Sequence, residues 1–114
     1  MRISVVIATL SLAASIALPQ SRSFSGEIMD NQCAGMRSHT RMMEGLGAKT
    51  TKECAEKCVK QLGGKYTLFD TSARTAYQLD NQDKAAEFAG QKVTVTGTLD
   101  AASKTIKVES IAAQ

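Results

Sequence analysis

The stretch TAYQLDNQDKAAEFAGQKVTVTGTLD, residues 75–100, contains the order of elements that decides the fold. Residues 75–80 and 91–100 alternate apolar and polar side chains, which is typical of half-buried strands. Between them, residues 81–90 begin with polar capping residues, continue with apolar side chains such as Phe88, and end at a glycine, as a short helix does. The stretch therefore predicts a strand, a helix and a strand in succession.

Three further strands are predicted outside this stretch. Residues 23–30 and 65–70 precede it, and residues 104–113 follow it with Ile106 and Val108 alternating with charged side chains. A short turn joins the last two strands as a hairpin. We expect a mainly β (α+β) protein with five strands and a helix between the third and the fourth, which is the order of an OB-like Greek-key barrel. An open five-stranded α+β sheet is the alternative.

A cysteine-bearing insert separates the first two strands. This insert, residues 31–64, contains a predicted helix that starts directly after Thr50, because Thr50 and Glu53 have the spacing of a capping box. A pair of glycines ends that helix. Residues 31–49 show no clean hydrophobic period, so we predict a loop there with one helical turn around residues 36–44.

The first 18 residues predict a secretory signal peptide. Arg2 precedes an uninterrupted apolar run at residues 3–18, and this run of 16 residues is shorter than the roughly 20 residues that a membrane-spanning helix needs. Removal of residues 1–18 leaves a single domain, residues 23–114, which we expect in the periplasm or outside the cell and not spanning the membrane. This domain carries 12 Lys and Arg against 11 Asp and Glu, so we expect no nucleic-acid partner.

Three cysteines and one histidine are the candidate site residues of the exported chain. Cys54 and Cys58 are four residues apart on the predicted helix, a spacing that lets both bind one metal ion but holds their Cβ atoms too far apart for a disulfide. Cys33 and His39 complete a candidate set of metal ligands with the chemistry of a zinc site. Nearby methionines would favour Cu(I) instead. These methionines are Met29, Met36, Met42 and Met43.

A disulfide is the alternative use of the cysteines. An oxidising compartment favours it, and pairing of Cys33 with Cys54 or with Cys58 would link the loop to the helix. Gly26 and Asp30 are interpreted as turn or bulge residues. The sequence has no nucleophile elbow and no phosphate or dinucleotide loop, so we expect no catalytic activity. Two hypotheses remain, a module that binds Zn or Cu and a disulfide-linked structural domain that binds a protein or glycan through its barrel face.

A set of motifs spans nearly all of the chain after the signal peptide. They are G-x-I-x-D-x-x-C at residues 26–33, C-x-x-x-C at 54–58 and GGKY at 63–66, followed by residues 77–100 and IKVESI at 106–111. With these motifs the chain resembles a family of small exported bacterial proteins of uncharacterised function, and its last portion is similar to bacterial OB-fold domains. The resemblance implies export and an OB-like barrel with a cysteine-bearing insert. It implies no activity and no catalytic residue.

Overall fold

A computed structural model describes residues 20–36 and 40–114 of the chain. The predicted signal peptide, residues 1–18, and His39 lie outside the described residues. Among the helices of the described part, none combines the length and the apolar character that a membrane span requires. The elements are β1 (Arg22–Asp30), α1 (Asn31–Met36), α2 (Thr40–Leu46), α3 (Thr51–Leu62), β2 (Tyr66–Asp70), β3 (Thr75–Leu79), α4 (Gln82–Ala86), β4 (Lys92–Asp100) and β5 (Thr105–Ala113).

The prediction of a mainly β protein with five strands is confirmed, and each strand lies within one residue of its predicted bounds. α4 is shorter than predicted, because a turn follows it at residues 87–90. The prediction of one helical turn around residues 36–44 agrees with α2. The rest of the predicted loop over residues 31–49 was wrong in part, because α1 occupies its first six residues. α1 forms because the Asp30 side chain accepts hydrogen bonds from backbone N–H groups of its first turn.

The five strands form one sheet that closes on itself in the order β1-β2-β3-β5-β4. β1 is antiparallel both to β2 and to β4, which closes the sheet on one side. β4 and β5 form a long antiparallel hairpin with a register shift at Thr96/Gly97. On the other side β3 runs parallel to β5, and Asp80 Oδ1 accepts a hydrogen bond from the Val108 backbone N–H at 2.8 Å just beyond this pairing.

Two clusters of buried side chains fill the fold. The larger cluster lies inside the closed sheet, and the smaller cluster lies between β1 and the helical segment. Because successive residues of a strand point to opposite faces, β1 contributes Ile28 to the larger cluster and Met29 to the smaller one. The fully buried aliphatic members of the larger cluster are Ile28, Leu68, Val93, Val95 and Ile106. The buried members of the smaller one are Met29, Cys33, Ala34, Cys54 and Phe69.

Helix α3 begins and ends at residues with evident capping roles. The Thr50 hydroxyl accepts a hydrogen bond from the Glu53 backbone N–H at 3.1 Å, as the capping pattern predicts. Gly63 ends the helix in the left-handed conformation, with φ of 68°. The buried residues of α3 are Cys54, Ala55 and Cys58. The helix therefore directs both of its cysteines toward the interior.

A glycine contact holds the start of α3 against the sheet. The Gly90 backbone N–H donates a hydrogen bond to the Ile28 carbonyl at 2.8 Å, and the Gly90 carbonyl accepts one from the Thr51 hydroxyl at 3.0 Å. Gly90 has φ of 74°, and a Cβ at this position would lie 2.6 Å from the Cα of Lys52. Glycine is required here, because any side chain would meet the backbone of α3.

Replacement of Gly90 by alanine should lower the free energy of unfolding by about 2–4 kcal/mol, since the new methyl group meets backbone atoms and the residue keeps a positive φ. Gly45→Ala in α2 is the matched control, because a Cβ there has no neighbour within 4 Å and alanine favours a helix by up to about 1 kcal/mol. Urea unfolding of the two variants beside the parent protein measures the difference. Equal stability of all three proteins would contradict the role of this contact.

Candidate metal centre

Asp30, Cys33, Cys54 and Cys58 come together where β1, α1 and α3 meet. Each of the four residues is 0% exposed. Asp30 is the last residue of β1, Cys33 lies in α1, and the other two cysteines lie one turn apart on α3. The structure thus brings together the three cysteines of the predicted site and adds an aspartate that was not among the predicted ligands. His39, the predicted fourth ligand, lies outside the described residues.

Hydrogen bonds fix Asp30 and the start of α1. Asp30 Oδ2 accepts hydrogen bonds from the backbone N–H groups of Gln32 and Cys33 at 2.9 and 3.0 Å, the arrangement of a helix N-cap. The Asn31 backbone N–H donates to the Lys65 carbonyl at 2.8 Å, and Asn31 Oδ1 accepts from the Lys65 backbone N–H at 3.0 Å. The first turn of α1, which carries Cys33, is therefore tied both to β1 and to the start of β2.

The other carboxylate oxygen of Asp30 is exceptional. Oδ1 is buried and has no hydrogen-bond partner among the described residues. A buried acceptor without a partner costs about 1–3 kcal/mol, and a charged group costs more. A carboxylate oxygen of Asp30 and the sulfurs of Cys33 and Cys58 all lie within 4.8 Å of one another. A cation between these three groups would supply the missing partner and offset the buried negative charge.

The third cysteine lies close to the same group. The sulfurs of Cys33 and Cys54 are 3.7 Å apart. Two thiolates bound to one tetrahedral zinc ion at about 2.3 Å lie about 3.8 Å apart. The separation of these two sulfurs therefore suits two ligands of one ion, and Cys54 is a candidate fourth donor beside Asp30, Cys33 and Cys58.

Burial raises the pKa of all three thiols, because an apolar environment disfavours the thiolate. For Cys33 and Cys58 the adjacent Asp30 carboxylate raises the thiol pKa further, because it interacts favourably with the protonated thiol and repels a thiolate, and the pKa of Cys58 rises to about 12. For Cys54 burial is also the largest cause, and interaction with the Cys33 thiol partly lowers the pKa again. A metal ion would have to displace these protons, so metal affinity should rise with pH.

Apolar side chains surround the cysteines. Met29, Ala34 and Phe69 are buried with Cys33 and Cys54, and Met43 packs against them from α2. Two of the four methionines that suggested copper therefore lie in the same cluster as the thiols. The side chains of the other two, Met36 and Met42, are outside the described part of the structure.

Asp30 is the site residue that sequence reasoning missed. It ends β1 and caps α1 through its side chain, and it is fully buried beside two thiols. The available signal was the D-x-x-C spacing directly after the apolar pair Ile28 and Met29. An N-cap and the third residue of its helix lie on the same side of the first turn, so this spacing brings a carboxylate near a thiol.

The comparison with known families concerns the part of the chain after these residues. Residues 59–114 match the model of a family described as a protein of unknown function (DUF5818). No curated protein and no solved structure gives a significant match. The match covers β2 to β5 and begins directly after Cys58, so it supports an uncharacterised domain family for most of the sheet. Asp30 and the three cysteines all precede the matched residues.

The raised thiol pKa values predict that the reduced, metal-free protein loses stability above pH 9. The Cys58 pKa rises from 9.0 to about 12 on folding, so the stabilisation is complete below pH 9 and is lost as the pH rises toward 12. In this range the unfolded state binds fewer protons, and each such thiol contributes a slope of about 1.4 kcal/mol per pH unit. Urea unfolding from pH 7 to pH 10 with a reductant and a chelator measures this slope.

Cys58→Ala is the control for this slope. It removes one buried thiol, so its stability should fall less steeply with pH than that of the parent, whatever its stability at pH 7. An identical slope in the two proteins would show that the Cys58 thiol does not keep its proton in the folded state.

Proposed function

We propose that this protein is a metal-binding module whose site consists of Asp30, Cys33 and Cys58, with Cys54 as the fourth donor. The observation that carries the proposal is the buried Oδ1 of Asp30, which has no hydrogen-bond partner among the described residues. It belongs to a carboxylate that lies within 4.8 Å of two buried thiols. A cation bound by these groups would satisfy the oxygen and would balance thiolate charge that an apolar interior otherwise disfavours.

The donor set favours Zn²⁺ over Cu(I). Zinc accepts a mixed set of thiolates and one carboxylate, whereas Cu(I) prefers thiolates and thioethers. The sequence pattern suggested Zn or Cu with His39 as the nitrogen ligand, and the geometry of the described residues supports Asp30 in that place. Met29 and Met43, which pack in the same cluster, make Cu(I) the second ion to test.

A site with four protein donors leaves no coordination position for a substrate, which is typical of structural zinc. We therefore propose a structural or metal-carrying role without catalytic activity. The bound ion would link the end of β1 and the start of α1 to α3, which follows much later in the chain. Because ligand binding to the folded state stabilises it, metal binding should raise the stability of the domain.

The setting that we propose is an OB-like Greek-key barrel in an exported protein. The strand order β1-β2-β3-β5-β4, the parallel pairing of β3 with β5 and the position of α4 between β3 and β4 support this class of fold. The apolar run at residues 3–18 supports export to the periplasm or the outside. The near-neutral charge of residues 23–114 does not favour a nucleic-acid partner.

A disulfide-linked interaction domain is the second candidate. The 3.7 Å contact between the sulfurs of Cys33 and Cys54 favours it, because a bond between them would fasten α1 to α3. A groove of about 590 Å³ beside α1, lined by Tyr77 and Gln78 of β3 among others, would then be the face that binds a protein or glycan. In this case the function would belong to the sheet and the cysteines would only stabilise the domain.

Asp30→Asn tests the metal-binding proposal, because asparagine caps a helix as well as aspartate does but lacks the negative charge. We expect the variant to fold and to bind Zn²⁺ about 100-fold or more weakly than the parent, since even residues one step removed from a metal typically contribute 10–100-fold. Competition between the reduced protein and a chromophoric zinc chelator measures the affinity. Circular dichroism checks the fold.

Asp70→Asn is the matched control. Asp70 also ends a strand, and its Oδ1 accepts hydrogen bonds from the backbone N–H groups of Ser72 and Ala73 at 3.0 and 3.1 Å. Its replacement should leave the zinc affinity unchanged. Equal affinity of Asp30→Asn and the parent would remove Asp30 from the site, and a reduced parent protein that binds neither Zn²⁺ nor Cu(I) would refute the metal-binding function.

A further inference from the structure

The sulfurs of Cys33 and Cys54 are in van der Waals contact, at 3.7 Å. A disulfide requires a separation of about 2.05 Å, so the two atoms would have to approach by less than 2 Å. Cys33 lies on α1, a helix of 6 residues, and Cys54 lies on α3, a helix of 12 residues. Since a helix as short as α1 has little stability of its own, α1 is the element that would rearrange to close this distance.

Cys58 is not an equivalent partner for either cysteine. It is one turn from Cys54 on α3, and side chains four residues apart on a helix have Cβ atoms about 5–6 Å apart, beyond the range for a disulfide. The Cys58 sulfur, the Cys33 sulfur and an Asp30 carboxylate oxygen lie within 4.8 Å of one another. The Cys33 sulfur therefore lies within 4.8 Å of an Asp30 carboxylate oxygen and the Cys58 sulfur, and 3.7 Å from the Cys54 sulfur.

We infer that Cys33 and Cys54 are shared between two exclusive states, a metal-bound state in which both are donors beside Asp30 and Cys58, and an oxidised state in which they form a disulfide. The metal part of this inference rests on the function proposed above. A disulfide sulfur is not a thiolate and is a poor ligand for zinc. Formation of the Cys33–Cys54 bond therefore removes two donors at once, and the ion leaves a site that keeps only Asp30 and Cys58.

The oxidant in this step is another disulfide, either a small molecule or a protein. One cysteine thiolate attacks a sulfur of that disulfide and forms a mixed disulfide, and the first leaving thiolate departs. The second cysteine thiolate then attacks the sulfur of its partner cysteine, the Cys33–Cys54 bond forms, and the second thiolate leaves. Two electrons pass to the oxidant, which becomes two thiols on taking up two protons, and the metal-bound protein releases one divalent ion.

The separation of the two buried clusters gives the oxidant a route to the thiols. Cys33 and Cys54 belong to the smaller cluster, between β1 and the helical segment, and not to the cluster inside the closed sheet. A local opening of α1 would expose the thiols while the sheet core remains intact, because proteins open in cooperative units smaller than the whole domain. Such opening exposes Cys33 first, since it is carried by α1 itself.

Zinc release during oxidation tests the inference. The reduced protein, loaded with one equivalent of Zn²⁺, is treated with oxidised glutathione in the presence of a chromophoric chelator. We expect zinc release in step with disulfide formation, and an affinity of the oxidised protein for Zn²⁺ that is about 100-fold or more below that of the reduced protein. Zinc that stays bound after the disulfide has formed would overturn the inference while leaving the metal-binding function intact.

Trypsin identifies the pair that has formed. Cleavage after lysine and arginine places Cys33 in residues 23–37, Cys54 in residues 53–57 and Cys58 in residues 58–60, so that the three possible disulfides give three different linked peptides. We expect residues 23–37 linked to residues 53–57. Residues 23–37 linked to residues 58–60 as the main product would contradict the pairing.

Two variants separate the two states. Cys54→Ser lacks one donor, so it should bind zinc more weakly than the parent when reduced. It cannot form the Cys33–Cys54 disulfide, so oxidised glutathione should not weaken its zinc binding further by the factor expected for the parent. Cys58→Ser lacks a metal donor but should still form the Cys33–Cys54 disulfide. A zinc affinity of Cys54→Ser that the oxidant lowers by as large a factor as that of the parent would overturn the inference. Absence of zinc binding in the reduced parent would refute the metal-binding function and with it the metal-bound state, while a disulfide formed in Cys58→Ser would leave the Cys33–Cys54 pairing standing.

Discussion

A carboxylate buried at the junction of β1 and α1 is the constraint on which the site depends. One oxygen of Asp30 accepts two backbone hydrogen bonds and so starts α1 directly after the strand. This sharp change from strand to helix allows the Cys33 sulfur to contact that of Cys54 on α3. The other oxygen has no hydrogen-bond partner among the described residues. The same side chain therefore starts α1 and leaves a buried negative charge that a bound cation would balance.

Much of the fold could be predicted from local patterns. The alternation of Val93 and Val95 with threonines in β4 predicts a strand with one buried and one more exposed face, as the structure has it. The start of α3 was visible because the Thr50 cap acts within a few residues of chain. Signals of this kind involve residues only a few positions apart, so they can be recognised in a single sequence. The meeting of Cys33 with Cys54 was only one of the pairings that the spacing allowed, because that contact depends on how α1 packs against α3.

The parts that escaped prediction depend on tertiary contacts. An aspartate that caps a helix in solvent and one that caps it in the interior have the same sequence pattern, and only the packing of α3 over Asp30 distinguishes them. That packing depends on the close approach of Gly90 to the start of α3, between residues far apart in the chain. The short helix α1 was missed, and α2 was predicted only as one helical turn around residues 36–44, because each has too few residues to show a helical period.

The parallel pairing of β3 with β5 is the shortest in the closed sheet, with Gln78 opposite Thr105 and Leu79 opposite Ile106. Because only two residue pairs join β3 and β5, these strands can separate while the antiparallel pairs of the sheet stay intact. Separated β3 and β5 would each present an unpaired edge, and such edges readily pair with other chains. The exposed hydrogen bond from the Val108 backbone N–H to Asp80 Oδ1 adds one contact between β5 and the end of β3. Loss of the Asp80 side chain would therefore shorten the contact between β3 and β5 and make these edges easier to expose.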